Sequence, residues 1–176
     1  MPAIPDPLHP AIIHFPVVLI LLGTCVVFVA VFWRKHHAPA LGAALLTLGA
    51  LGAWVAVETG KSDGGLAENL PPQAAALLDE HQDWAERTLT LAAIAAVAGI
   101  ASVWLFRFPR TARAVAVATA LIASLASYAL YQTGHRGGAL VFQHGVGVNV
   151  TAPATPGEGT ADVASARQTQ DAAGPD

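Results

Sequence analysis

The first long apolar run of the chain opens with Leu8-His9-Pro10-Ala11-Ile12-Ile13-His14-Phe15-Pro16. From Ala11 to Trp33 this run contains no Asp, Glu, Lys or Arg, and His14 is its one histidine. About 20 apolar residues in a helix cross the hydrocarbon core of a bilayer. We therefore predict a transmembrane helix with His14 about one turn inside it. An ionisable group at that depth is costly, which makes it a hypothesis for a functional site.

The composition of the whole chain is that of an integral membrane protein. Of its 176 residues, 54% are hydrophobic and 12% are charged, and the mean hydropathy is +0.52. Soluble domains carry about 25% charged residues. The net charge of -3 and the absence of a basic block argue against a nucleic-acid partner. The single cysteine, Cys25, excludes an internal disulfide, and without a basic segment at the N-terminus no cleaved signal peptide is expected.

Three further apolar runs follow the first, and they predict an all-α, four-helix transmembrane bundle in the lipid bilayer. The predicted spans cover about residues 11–33, 39–59, 85–107 and 111–133. Pro16 cannot donate to the carbonyl of Ile12, so we expect a bend near His14. Gly42, Gly49 and Gly52 predict a second helix whose backbone packs closely against its neighbours.

The segments outside the spans are predicted from their composition. Pro71 and Pro72 are expected to begin an amphipathic turn that leads directly into the third helix, with His81 on its apolar side. Gly134 is expected to end the fourth helix, and residues 137–148 are predicted to be a short extended segment over the outer end. Residues 150–176 have no apolar periodicity and predict a disordered tail beyond one domain of residues 1–149.

The distribution of basic residues predicts the orientation. Arg34 and Lys35 lie between the first two spans, and Arg107, Arg110 and Arg113 flank the last turn. Lys and Arg are enriched in cytoplasmic loops. We therefore predict a multi-pass protein of a cytoplasmic membrane, with its short turns in the cytoplasm and both termini periplasmic or extracellular.

With this orientation, a set of possible ligands shares the outer end of the bundle: His9, His14, Glu58, His81, His135 and His144. Neutral imidazole binds haem iron, copper and zinc, and helical bundles hold cofactors with side chains from facing helices. His14 and His81 form the best predicted pair, for a metal as for a haem, because both are expected on packed helical faces. Each residue also has a structural interpretation, such as a helix cap for His9, a hydrogen bond to Glu58 for His14, or an interfacial position for His81.

No nucleophile elbow, phosphate loop, dinucleotide fingerprint or zinc-protease motif occurs in the chain. The sequence therefore favours a protein that is not an enzyme.

The chain resembles a bacterial family of predicted four-helix membrane proteins catalogued as domain of unknown function 2231. The resemblance covers about residues 8–149 and is most specific at residues 8–16 and 137–148, where the latter read Gly-Gly-Ala-Leu-Val-Phe-Gln-His-Gly-Val-Gly-Val. The family carries no assigned activity. Some relatives are fused to cytochrome c-like or Rieske-like domains, which implies a redox setting and cytochromes or other respiratory-complex subunits as partners. Phe142 stands where the family usually has tyrosine, so a role for a phenol hydroxyl is not expected.

These observations lead to a predicted function as a membrane-embedded haem b-binding protein, for electron transfer or as an accessory to it. Small residues of the second and third helices are expected around the haem, namely Gly52, Ala53, Ala56, Ala85 and Ala92. The propionates of the haem are expected to project toward Arg136 or water. Two alternatives stay open. One is a non-catalytic structural subunit of a larger, respiratory-type membrane complex that needs no cofactor, and the other is a membrane protein that handles copper or zinc.

Overall fold

The computed structural model of the chain describes residues 12–33, 37–62 and 70–147. These residues form four α-helices: α1 (His14–Phe32), α2 (Ala38–Ser62), α3 (Pro72–Trp104) and α4 (Pro109–His144). A short 3-10 turn, Leu105–Arg107, joins α3 to α4. All four helices are long and apolar enough to cross a membrane, and no β-strand occurs in the described ranges. The predicted all-α, four-span membrane fold is confirmed.

The helices form a ring in which α1 packs on α2, α2 on α3, α3 on α4, and α4 again on α1. Consequently α1 and α3 lie diagonally across the bundle. Short connections between α1 and α2 and between α3 and α4 place their helices antiparallel.

Small residues form the core, and large apolar residues face outward. Gly42 and Gly49 of α2 bring its backbone against α1, where an added Cβ at Gly49 would lie 2.8 Å from Ile20 Cγ1. The buried alanines are Ala30, Ala43, Ala50, Ala53, Ala56, Ala74, Ala92, Ala95, Ala96, Ala112, Ala116, Ala120, Ala123, Ala126 and Ala129. The hydrophobic effect does not drive helices together within lipid. Close packing of small residues is therefore the main source of helix association. This confirms the predicted close approach of α2.

The first turns of α3 follow the prediction. Pro71 precedes the helix and Pro72 occupies its first position, where a missing N–H costs nothing. The helix then continues without a break to Trp104. Its 33 residues correspond to about 50 Å, well beyond the ~30 Å hydrocarbon core. The amphipathic part of α3 therefore projects from the end of the membrane-spanning bundle.

The predicted end of the fourth helix at Gly134, and the extended segment after it, are wrong. Helix α4 continues through Gly137 and Gly138, and its last residue is His144. The C-cap residue, Gly145, has a left-handed φ of 64°. The Val146 N–H bonds to the Leu140 carbonyl 3.0 Å away, as at many glycine-terminated helices. Each glycine costs a helix about 1 kcal/mol relative to alanine, but the projecting part of α3 supplies packing that offsets this cost, since Leu140 is buried.

Residues 72–86 of α3 and 132–144 of α4 thus form a two-helix projection, which we call the α3–α4 arm.

At the other end of the chain, α1 begins at His14, and the Val17 N–H lies 3.4 Å from the Ile13 carbonyl. This weak first turn occurs where Pro16 predicted a bend. The predicted tail of residues 150–176 lies outside the described residues.

Candidate functional site at the acidic end

Charge divides the described residues between the two ends of the bundle. The carboxylates all lie at the end that carries the α3–α4 arm, which we call the acidic end: Glu58, Asp79, Glu80, Asp83 and Glu86. The opposite end, which we call the arginine end, carries Arg107, Arg110 and Arg113. The predicted ligands of the described chain lie at or near the acidic end.

His81 is the histidine with the most defined geometry. It is half-buried, and its Nδ1 lies 2.9 Å from the backbone carbonyl oxygen of Thr133 on α4. A carbonyl only accepts, so in this contact Nδ1 carries the proton and donates it. In the neutral ring the lone pair is then on Nε2, the nitrogen that can bind a metal. The predicted placement of His81 on the packed side of α3 is confirmed.

Gly137 makes room for the His81 ring. A Cβ at this position would lie 3.1 Å from Cε1 and 3.3 Å from Nδ1 of the imidazole. A methyl group there would be in tight contact with the ring, which would have to shift by a few tenths of an ångström to accommodate it. Gly138, by contrast, has no atom within 4 Å of such a Cβ. A side chain added at Gly137 therefore contacts His81, whereas a side chain added at the adjacent Gly138 does not.

An ion pair and a cation–π contact join the two helices of the arm around this histidine. Arg136 Nε donates to Glu80 Oε2 at 2.8 Å, which ties α4 to α3. The Arg136 guanidinium also lies 5.3 Å from the centre of the Trp84 ring, which meets Tyr128 edge-on at 5.9 Å. Such contacts contribute most where they are partly desolvated. Arg136 thus lies in the same arm as His81, with its guanidinium paired to Glu80.

The structure does not pair His14 with His81. His14 is exposed, so the prediction that it lies on a packed face is wrong. It begins α1, which is diagonal to α3 in the ring of helices. Pro16, two residues later, already fills the interface with α2 through its contact with Gly52.

The other predicted ligands lie apart from one another. Glu58 is exposed, and Lys61 pairs with Glu86 at 2.9 Å. His135 is exposed and stacks on Tyr131, with ring centres 6.1 Å apart, and His144 is exposed in the last turn of α4. His9 lies outside the described residues. Within residues 12–33, 37–62 and 70–147, no three His, Cys, Asp or Glu side chains form a group that could hold a metal ion.

The small residues expected around a haem have another role. Ala53, Ala56 and Ala92 are buried in contacts between helices, and a Cβ at Gly52 would lie 3.3 Å from Pro16 Cδ. They form the core rather than a pocket.

A cavity of about 10 Å³ lies toward the arginine end, and it has room for about one water molecule. It is lined by Val27, Ala30, Pro39, Gly99, Ser102, Ala116 and Thr119.

Sequence reasoning missed Thr133 and Gly137 as partners of His81. They are four residues apart, which places them on one face of a helix. That signal was hidden because Gly134 and the Gly137-Gly138 pair predicted the end of the helix.

One protein family matches the chain. Its description is "Predicted membrane protein (DUF2231)", and the match covers residues 5–150. No curated protein and no solved structure matches the chain. The resemblance predicted from the terminal motifs is confirmed.

Proposed function

The chain belongs to the DUF2231 family of predicted membrane proteins, and within this fold we propose that it binds haem b at the acidic end, for electron transfer or as an accessory to it. The observation that carries the proposal is the 2.9 Å contact from His81 Nδ1 to the Thr133 carbonyl. Histidines that bind metals almost always donate their other ring N–H to a carboxylate or carbonyl, which fixes the tautomer and the ring. His81 is held in this way.

The residues around His81 fit a haem better than a bare metal ion in two respects. A haem iron needs only one or two protein ligands, whereas structural zinc needs four. The arm also supplies Arg136, a cation suited to a propionate. A bound haem would supply one-electron chemistry. Because Ala53, Ala56 and Ala92 are packed together, the proposal places the haem beyond this layer and beside the arm.

The second axial ligand is expected among His9, His14, His135 and His144. His14, His135 and His144 are at or near the acidic end, whereas His9 lies outside the described residues. Separate alanine variants identify the ligand by a change in the haem spectrum. Copper or zinc remains the metal alternative if no haem is present.

A second candidate function is that of a structural subunit in a larger, respiratory-type membrane complex. The same His81 contact favours it, since an interhelical hydrogen bond of this kind also stabilises the arm without any cofactor. The closed core of small side chains is compatible with such a role.

The visible spectrum of the wild-type protein, purified after expression with added haem, tests the leading proposal. We expect a Soret band and the α band of a haem b. Protein without a Soret band would contradict the proposal, and metal analysis of the same sample would then separate copper or zinc binding from a structural role.

A matched pair of glycine substitutions tests the site without removing a ligand. In Gly137→Ala, the added methyl displaces the His81 ring, and haem affinity should fall about tenfold, the lower end of effects from disturbing the support of a ligand. Gly138→Ala adds the same methyl where nothing lies within 4 Å, and it should leave the affinity unchanged. Equal haem titration curves for both variants would contradict the proposed position.

For the orientation, we propose that the acidic end faces the periplasm of a bacterial inner membrane. The arginine end then faces the cytoplasm, as the excess of basic residues in cytoplasmic loops requires. A reporter that is active only in the cytoplasm, fused after residue 152, should be silent. Strong activity of this fusion would reverse the orientation and place the haem on the cytoplasmic side.

A further inference from the structure

The arginine end carries a positive charge that no described residue of the chain neutralises. Arg107, Arg110 and Arg113 lie within seven residues of one another and are all exposed. The whole sequence has no Asp or Glu from residue 87 to residue 157, or from residue 7 to residue 57. None of the three arginines forms an ion pair with a described residue. Within the described residues, these arginines are therefore cations without an acidic partner.

Exposed aromatic side chains surround these arginines. Trp104, Phe106 and Phe108 are each more than 60% exposed, and Arg107 lies 5.7 Å from the centre of the Phe106 ring. Aromatic rings of this kind lie at the level of the lipid headgroups. The arginines and aromatics of this turn thus present a cationic surface directly beside an apolar one.

From this juxtaposition we infer that the turn between α3 and α4 binds an anionic phospholipid. The guanidinium groups of Arg107, Arg110 and Arg113 bind the headgroup phosphate, and Trp104, Phe106 and Phe108 contact the glycerol and the first carbons of the acyl chains. Guanidinium pairs with phosphate through two parallel hydrogen bonds. A phospholipid can bind the arginines through its phosphate and the aromatic side chains through its acyl chains. Free phosphate can bind only the arginines.

The acidic end offers a matched comparison. Lys61 is paired with Glu86, and the described contact of Arg87 is with the Trp84 ring, 4.8 Å away. This end has cations too, but carboxylates lie among them. Anionic lipid is therefore expected to prefer the arginine end.

The test measures lipid binding by native mass spectrometry of the full chain in detergent micelles, where both ends are accessible whatever the orientation in a cell. The probes are dioleoyl phosphatidylglycerol and dioleoyl phosphatidylcholine. Wild-type protein should retain the anionic lipid in preference. Arg107→Gln/Arg110→Gln should weaken phosphatidylglycerol binding about 30-fold, from the loss of two cations near the lipid. Lys61→Gln/Arg87→Gln removes the same charge from the acidic end. This variant should change phosphatidylglycerol binding by less than about twofold.

Three results would overturn the inference. They are equal retention of the two lipids by wild-type protein, equal losses in the two double variants, and complete displacement of the lipid by inorganic phosphate at millimolar concentration. Circular dichroism of each variant verifies that it is folded. A misfolded double variant is replaced by Arg110→Gln alone, for which about a fivefold loss is expected.

Discussion

Gly49→Leu is expected to unfold or strongly destabilise the helical bundle. A Cβ at this position would lie 2.8 Å from Ile20 Cγ1, 3.2 Å from the Ile20 backbone nitrogen and 3.4 Å from the Leu19 backbone carbon. A side-chain atom could rotate away, but the backbone of α1 could not, so α1 and α2 would have to separate. The loss should be about 3 kcal/mol or more, at the upper end of overpacking effects.

The measurement is the unfolding midpoint of the purified protein in mixed detergent micelles, followed by circular dichroism. Gly134→Leu is the matched control, because it adds the same side chain at an exposed helical glycine with no atom within 4 Å of the new Cβ. It should be neutral or stabilising, since leucine favours a helix more than glycine does. Gly49→Ala should give an intermediate loss. Equal midpoints for Gly49→Leu and wild type would mean that α1 and α2 do not pack through this face.

This fold could be predicted from the sequence because uncharged apolar runs of about 20 residues have few alternatives in a bilayer. The small-residue face of α2 could be predicted for a similar reason, since Gly42 and Gly49 are seven residues apart and so lie on one side of a helix. Both expectations depend on local composition. The structure confirms them in the described residues.

The candidate site could be predicted only in part. The position of His81 followed from the apolar face of α3, but its partners did not. Gly134, Gly137 and Gly138 predict the end of a helix by intrinsic propensity. In the structure, packing in the arm outweighs that propensity, and the Arg136–Glu80 contact at 2.8 Å joins residues that are 56 positions apart in sequence. The exposure of His14 likewise depends on how α1 rotates against α2, which its almost uniformly apolar sequence does not specify.

His81→Ala is expected to remove the bound haem, and His81→Gln is expected to do the same while preserving the arm. Alanine removes both the proposed ligand and the hydrogen bond to the Thr133 carbonyl. Glutamine can still donate an N–H to this carbonyl, but its amide is not a haem ligand. Loss of the hydrogen bond alone should cost about 1 kcal/mol. The alanine variant should therefore lose haem and some stability, whereas the glutamine variant should lose haem alone.

A purely structural role for His81 predicts a different pattern. Glutamine would then restore the behaviour of wild type in every measurement, because it retains the interhelical contact. Unfolding midpoints of the three proteins without added haem show how much the contact contributes to stability. Their spectra with added haem show whether the ring also binds iron.

The most direct measurement is the ratio of haem b to protein chain in purified wild type and in His81→Gln, determined in parallel after expression with the same supply of haem. We predict stoichiometric haem in wild type and almost none in His81→Gln, although both proteins are folded. Wild-type protein without haem, or equal haem in the two proteins, would contradict the proposal that His81 is the ligand at the acidic end.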